Sequence, residues 1–108
     1  MDLLSQKCEP CEGGVPPMTP NEIKQYLPKL NQPWEVIDNK KISHTFILKT
    51  FKEAINFVNK IADLAEKEGH HPNIHILYNR VKIVLTTHAV GGLSRNDFIL
   101  AAKIEELA

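Results

Sequence analysis

The chain has 108 residues, enough for one domain with a modest core, and its 13 Lys and Arg balance 13 Asp and Glu for a net charge of zero. That balance argues against a nucleic-acid partner, which favours a basic excess. No apolar run approaches the ~20 residues of a membrane span. The start, Met1-Asp2-Leu3-Leu4-Ser5-Gln6, lacks the basic and apolar regions of a secretion signal, so a soluble, cytoplasmic protein is expected.

Residues 1–18 read as a flexible leader rich in Cys, Pro and Gly. Cys8 and Cys11 form a single Cys-x-x-Cys within it. Such a pair supplies half a zinc site, and no second pair exists to complete it. An inert or weakly ordered leader is the expectation, and a shared metal or redox role is the alternative. The remaining residues, 19–108, form the folded domain.

Thr19-Pro20-Asn21-Glu22 has the form of a helix start, with Thr as N-cap, Pro at the first helical position and Glu closing the box. Ile23, Tyr26, Leu27 and Leu30 keep helical spacing until Pro28 ends or kinks the helix. Trp34 to Ile37 is a short strand, and Asp38-Asn39-Lys40 supplies a turn. Lys41 to Leu48 alternates, with Ile42, His44, Phe46 and Leu48 on one face. Thr50-Phe51-Lys52-Glu53 is a second capping box. It opens a long helix whose stripe is Phe51, Ala54, Ile55, Val58, Ile61, Ala62 and Ala65, ending at Gly69. Ile74 to Tyr78 and Val81 to Thr86 are strands around an Asn79-Arg80 hairpin loop. After Gly91-Gly92, Ser94-Arg95-Asn96-Asp97 caps a last helix carrying Phe98, Ala101, Ala102 and Leu107.

The order α-β-β-α-β-β-α predicts an α+β fold: a single four-stranded antiparallel sheet with three helices packed on one face. The other face is left to solvent or a partner.

The run Gly69-His70-His71-Pro72-Asn73-Ile74 carries the chemistry. Imidazole titrates nearest neutral pH of all side chains, and two stand here on a loop stiffened by proline. Pro72 disfavours helical geometry at His71, so His70, His71 and His75 cannot share a helix face. The helical zinc pairing of His residues four apart is therefore unavailable, which disfavours a metal-dependent hydrolase built on His70, His71, His75 and His88. If the fourth strand continues, Lys82, Val84, Thr86 and His88 share a face, and His88 returns to the level of His71 and Pro72. The hairpin then gathers three imidazoles for acid–base work. Glu66 is a solvated helix charge or a partner for an imidazole. Asp97 is a helix cap or such a partner, and Trp34 is core or a ligand platform.

An acidic residue, three positions, His-His-Pro, five positions, Tyr, nine positions, His, then Asp form one pattern, read here as Glu66, His70-His71-Pro72, Tyr78, His88 and Asp97. With Pro33-Trp34-Glu35 and Leu85-Thr86-Thr87-His88, the chain resembles the pterin-4a-carbinolamine dehydratases over about residues 18–108. The resemblance implies a four-stranded antiparallel sheet with three helices on one side, and assembly as a homodimer or homotetramer. The implied reaction is loss of water from 4a-hydroxytetrahydropterin to give quinonoid dihydropterin, which serves tetrahydropterin recycling. No metal and no organic cofactor are implied. The implied catalytic histidines are His70, His71 and His88, with Glu66 as acidic helper and Trp34 at the substrate site; Asp97 ends the same pattern. A dimerisation or partner-binding module with vestigial catalysis is the alternative, served by an open sheet face and unpaired edge strands.

Overall fold

The structure, a computed structural model, describes residues 2–9 and 15–108. Cys11 lies outside the described residues. In chain order the elements are α1 (Pro20–Tyr26), β1 (Glu35–Ile37), β2 (Lys41–Ile47), α2 (Phe51–Glu68), β3 (Asn73–Leu77), β4 (Arg80–Leu85) and α3 (Arg95–Glu105). Short 3-10 turns occupy Leu3–Ser5, Leu27–Lys29 and His88–Val90. The strands form one antiparallel sheet in the order β1-β2-β4-β3, and the three helices cover one face of it.

Local chemistry sets most boundaries. Thr19 Oγ1 accepts from the Glu22 N–H, and the Glu22 carboxylate accepts from the Thr19 N–H, so the first capping box is complete. Pro28 allows α1 to go no further than Tyr26 before the chain tightens into a 3-10 turn. At α2, Thr50 Oγ1 takes the Glu53 N–H, but the Glu53 carboxylate takes the N–H of Lys49, one residue earlier than a full box requires. The β1–β2 turn places Asp38 and Asn39 at φ 52° and 55°, with Lys40 N–H donating to Ile37 O at 2.9 Å. Short polar side chains tolerate that left-handed pair.

The second hairpin turns one residue earlier than the sequence suggests. Leu77 pairs with Arg80, so the loop is Tyr78-Asn79. Asn79 is held by the end of β2: its Nδ2 donates to Leu48 O, and Leu48 N–H donates to Asn79 O, both at 2.8 Å.

Strand register puts Ile42, His44 and Phe46 level with Leu85, Ile83 and Val81, and Ile74 and Ile76 beside the latter two. Ile42, Val81, Ile83 and Leu85 are wholly buried, so this is the face the helices cover. From α2 come Ala54, Phe57, Ile61 and Ala65. The buried stripe is therefore rotated from the one expected: Phe57 is inside, and Phe51, in the first turn, is 51% exposed.

Helix α3 is buried nearly all round, through Phe98, Ile99, Leu100, Ala101, Ala102 and Ile104. A helix with that sequence needs cover on more than its sheet side. The Leu3–Ser5 turn provides it, packing against α3 with Leu3 buried in the core cluster. Residues 2–9, read from the sequence as part of a flexible leader, are thus packed against the domain, because α3 offers an apolar outer surface that Leu3 fills.

Gly69 ends α2 at φ 70°, and a Cβ there would meet no atom within 4 Å. Gly69→Ala therefore carries only the backbone cost of the left-handed conformation, about 1 kcal/mol. Urea unfolding should show a lower midpoint with an unchanged slope.

Candidate active site

The α2–β3 connection is short and determined at both ends. Gly69 and His70 both donate their N–H groups to Ala65 O, at 2.8 and 3.3 Å, closing the helix. β3 begins at Asn73, directly after Pro72. The two adjacent imidazoles are left on opposite fates, one drawn inward and one outward.

His70 is the inward one, with a side chain 13% exposed. Its Nε2 lies 2.6 Å from Asp97 Oδ1, and the Asp97 side chain is wholly buried in the first turn of α3. The second oxygen, Oδ2, accepts from Thr87 Oγ1 at 2.8 Å and from the Ser94 N–H at 3.0 Å. The Thr87 hydroxyl also lies 2.7 Å from Ser94 Oγ. Its single proton is committed to Asp97, so Ser94 donates in that contact. Asp97 thus acts as an acceptor for three donors. Against an ionised Asp97 the neutral His70 ring places its proton on Nε2, which makes Nδ1 the basic nitrogen.

His71 turns to solvent and pairs its Nε2 with Glu66 Oε2 at 2.6 Å, both side chains being exposed. An ion pair in that setting adds little to stability. What it does is fix a ring orientation, again leaving Nδ1 uncommitted by this contact.

His88 is close in the chain to the same cluster but not on a strand. β4 ends at Leu85, and His88 opens a 3-10 turn. The strand does not continue to His88, because Gly91, at φ 72°, turns the chain and Thr87 pairs with Gly92. Thr87 N–H donates to Gly92 O at 2.7 Å. His88 is exposed and stands one residue from Thr87, whose hydroxyl is bonded to Asp97. The structure therefore joins His70, Asp97 and the residue before His88 in one hydrogen-bonded chain, and His71, next to His70 on the loop, pairs with Glu66 in the last turns of α2.

Trp34 is placed elsewhere. It precedes β1, an outer strand, whereas the His-His-Pro run precedes β3, the outer strand on the other side. Three strand spacings of ~4.8 Å separate those edges. Trp34 is 6% exposed, its Nε1 donates to Glu105 Oε2 at 2.9 Å, and its ring lies against His44 and Phe46. Within this chain it is a core residue, because the indole finds an apolar body and a carboxylate for its N–H. Glu105 also accepts from the N–H groups of Asn31 and Gln32, which clamps the segment before β1 to α3.

Thr87 and Ser94 are the site residues that sequence reasoning missed in this role. Ser94 was legible only as a helix cap, and Thr87 carried no periodic signal. Among the described residues, no three His, Cys, Asp or Glu side chains converge as a metal-holding group. No described helix is long and apolar enough to cross a membrane.

Fold and site together define a small α+β protein with a histidine–carboxylate cluster where α2 gives way to β3. The chain belongs to the pterin 4 alpha carbinolamine dehydratase family, whose model matches residues 16–107. It is 47% identical over 106 residues to a protein of Nitrosomonas eutropha, covering 98% of this chain and 93% of that one. A protein of Alkaliphilus metalliredigens is 45% identical, covering 97% and 95%. Both carry the provisional name pterin-4-alpha-carbinolamine dehydratase. A solved structure described as a transcriptional coactivator/pterin dehydratase from Brucella melitensis superposes with a TM-score of 0.80 at 33% identity, covering 85% of this chain and 98% of that one. A pterin dehydratase-like protein identified as a RuBisCO assembly factor in the alpha-carboxysome shares the fold, with a TM-score of 0.63 at 22% identity over 72% of this chain and 92% of that one.

Two expectations follow. Thr87→Val removes a donor to a buried carboxylate and should cost about 1–3 kcal/mol of unfolding free energy, read by urea titration. Burial holds the His44 imidazole below its ordinary 6.5, against the opposing pull of Glu105 and the Pro33 carbonyl. The unfolded chain therefore takes up this proton at higher pH than the folded one, and stability should be complete above pH 6.5 and decline as pH falls below it. Thermal melts between pH 7.5 and 5.5 should show that slope in the native chain and a flatter one in His44→Phe.

Proposed function

We propose that this chain removes water from 4a-hydroxytetrahydropterin, giving quinonoid dihydropterin, and that it serves cytoplasmic tetrahydropterin recycling. The observation that carries the reading is the His70–Asp97 contact, in which a wholly buried carboxylate stands 2.6 Å from Nε2; a proton held there leaves Nδ1 free for proton transfer. Family membership supports the choice of substrate.

The reaction breaks the C4a–O bond, takes the proton from N5 and leaves a C4a=N5 double bond. One group must accept the N5 proton and another must protonate the departing hydroxyl. Each positioned acid or base is worth ~10²–10⁴-fold. His70 is assigned as base, because Asp97 stabilises the imidazolium that forms, as a carboxylate does behind a catalytic imidazole. His88 is assigned as the acid that protonates the leaving hydroxyl. His71, oriented by Glu66, binds and aligns the pterin. Glu66 and Asp97 act through the imidazoles they hold and are positioning residues. No metal or organic cofactor enters the scheme.

A homodimer or homotetramer is part of the proposal. Ile47, Phe51, Leu77 and Tyr78 are large exposed apolar side chains, three of them at the hairpin end of the sheet, and β3 is an edge strand. The same features favour the alternative reading, a partner-binding module with vestigial catalysis; the carboxysomal protein that shares the fold is described as an assembly factor.

Turnover of the carbinolamine by purified protein separates the two readings. His70→Ala and His88→Ala should each lower kcat/KM by ~10²–10⁴-fold, and His71→Ala should act mainly on KM. A bell-shaped pH profile is expected, because one imidazole must be neutral and the other protonated at once. Values for both alanine variants within twofold of wild type would sink the pair assignment.

A further inference from the structure

We propose that Glu68 and Asn96 are positioning residues for the His70–Asp97 pair, held in place by the backbone of Cys8 and Glu9. The inference rests on the reading of His70 as the proton-transferring imidazole.

Glu68 is the last residue of α2, and only Gly69 separates it from His70. Its side chain is 4% exposed. One carboxylate oxygen accepts from the Cys8 N–H at 2.9 Å and the other from Lys103 Nζ at 2.8 Å. Burial alone raises this carboxyl, yet the hydrogen bonds from Lys103 and Cys8 and the Lys103 charge outweigh it and hold the group below its ordinary value. Asn96 directly precedes Asp97. Its Oδ1 accepts from the Glu9 N–H at 3.0 Å, and its Nδ2 donates to Glu9 O at 2.6 Å. The Cys8 thiol adds a contact of 3.5 Å to Asn96 O.

Two consecutive residues near the N-terminus therefore bond the immediate neighbours of both halves of the pair. Lys103 and Asp97 lie on the same rigid helix, so the Glu68–Lys103 bridge fixes the end of α2 relative to the carboxylate that His70 must reach. Between the anchored Glu68 and His70 stands a glycine, the residue least able to hold a direction by itself. The Glu68 anchor adds to the Ala65 O bonds in holding His70 at 2.6 Å from Asp97. Asn96, paired in both directions with a backbone, fixes the other side.

The Cys8 thiol is pushed up to about 12, chiefly by burial and then by the Glu68 charge. It serves this joint as a neutral filler.

The test follows His70 directly. Imidazole nitrogen signals in the nitrogen-15-labelled full-length chain report the tautomer, and steady-state kinetics report catalysis. Wild type should show the His70 proton on Nε2. Glu68→Ala and Asn96→Ala should each give a mixture of tautomers and lower kcat about tenfold, with KM within about twofold, as expected when a reacting group is misplaced by under an ångström. Glu68→Gln, which keeps an acceptor for the Cys8 N–H, should retain most of the wild-type tautomer and rate. Phe57→Leu, a core change on the same helix, should lower Tm and leave the His70 signals in place. If Asn96→Ala does not fold, Asn96→Ser takes its place. Wild-type His70 signals in both the Glu68 and Asn96 variants overturn the proposal, whatever their Tm. A wild-type protein without carbinolamine turnover overturns the functional reading instead, and the tautomer measurement still decides this one.

Discussion

The buried carboxylate of Asp97 is the constraint on which the site depends. A charge taken out of water is costly unless donors replace its hydration. Here they come from three places: the His70 ring before β3, the Thr87 hydroxyl after β4, and the Ser94 N–H at the start of α3. The N-terminal turn of a helix also favours a negative group. Because these donors belong to segments distant in sequence, satisfying one carboxylate draws together the loop, the turn and the helix. The site is in this sense a by-product of solving a burial problem, and the geometry useful for proton transfer is the geometry that keeps Asp97 solvated by protein.

Helix α3 is the member that everything else references. Its first turn holds Asp97, Lys103 reaches the end of α2, and Glu105 accepts three N–H groups from the segment leading to β1. Its apolar surface extends beyond the side that meets the sheet, and Leu3 covers part of the remainder. That arrangement explains why a stretch with little periodic signal packs in an ordered way. It also explains why polar contacts radiate from both ends of a helix whose middle is almost wholly apolar.

Much of the architecture was legible because it rests on local rules. Helix periodicity, two capping sequences, the Asp38-Asn39 turn and Gly69 each follow from backbone chemistry that neighbours in sequence decide. The misses share a cause as well. The α2 stripe was centred on Phe51 and Ile55 when the sheet accepts Phe57, because one rotation of a helix about its axis is chosen by its partner surface. The second hairpin shifted by a residue because Asn79 is claimed by Leu48, a contact across 31 positions. His88 would share a face with Thr86 only if β4 continued, but Gly91 and the Thr87–Gly92 bridge turn the chain first. For Trp34 spacing left core and ligand platform both open, and within this chain it is buried at the edge of the sheet opposite the His-His-Pro run.

The chain's residues alone determined the order of helices and strands, the family pattern and the presence of imidazoles on a proline-stiffened loop. Those are properties of spacing and of local conformational preference. Tertiary structure decided which imidazole meets which carboxylate, and that His70 turns inward to Asp97 while His71 turns outward to Glu66. Adjacent residues on an extended loop differ only in the side they face, and that side is chosen by what packs there. No rule of sequence spacing contains α3, Thr87 and the N-terminal residues arriving from elsewhere in the fold.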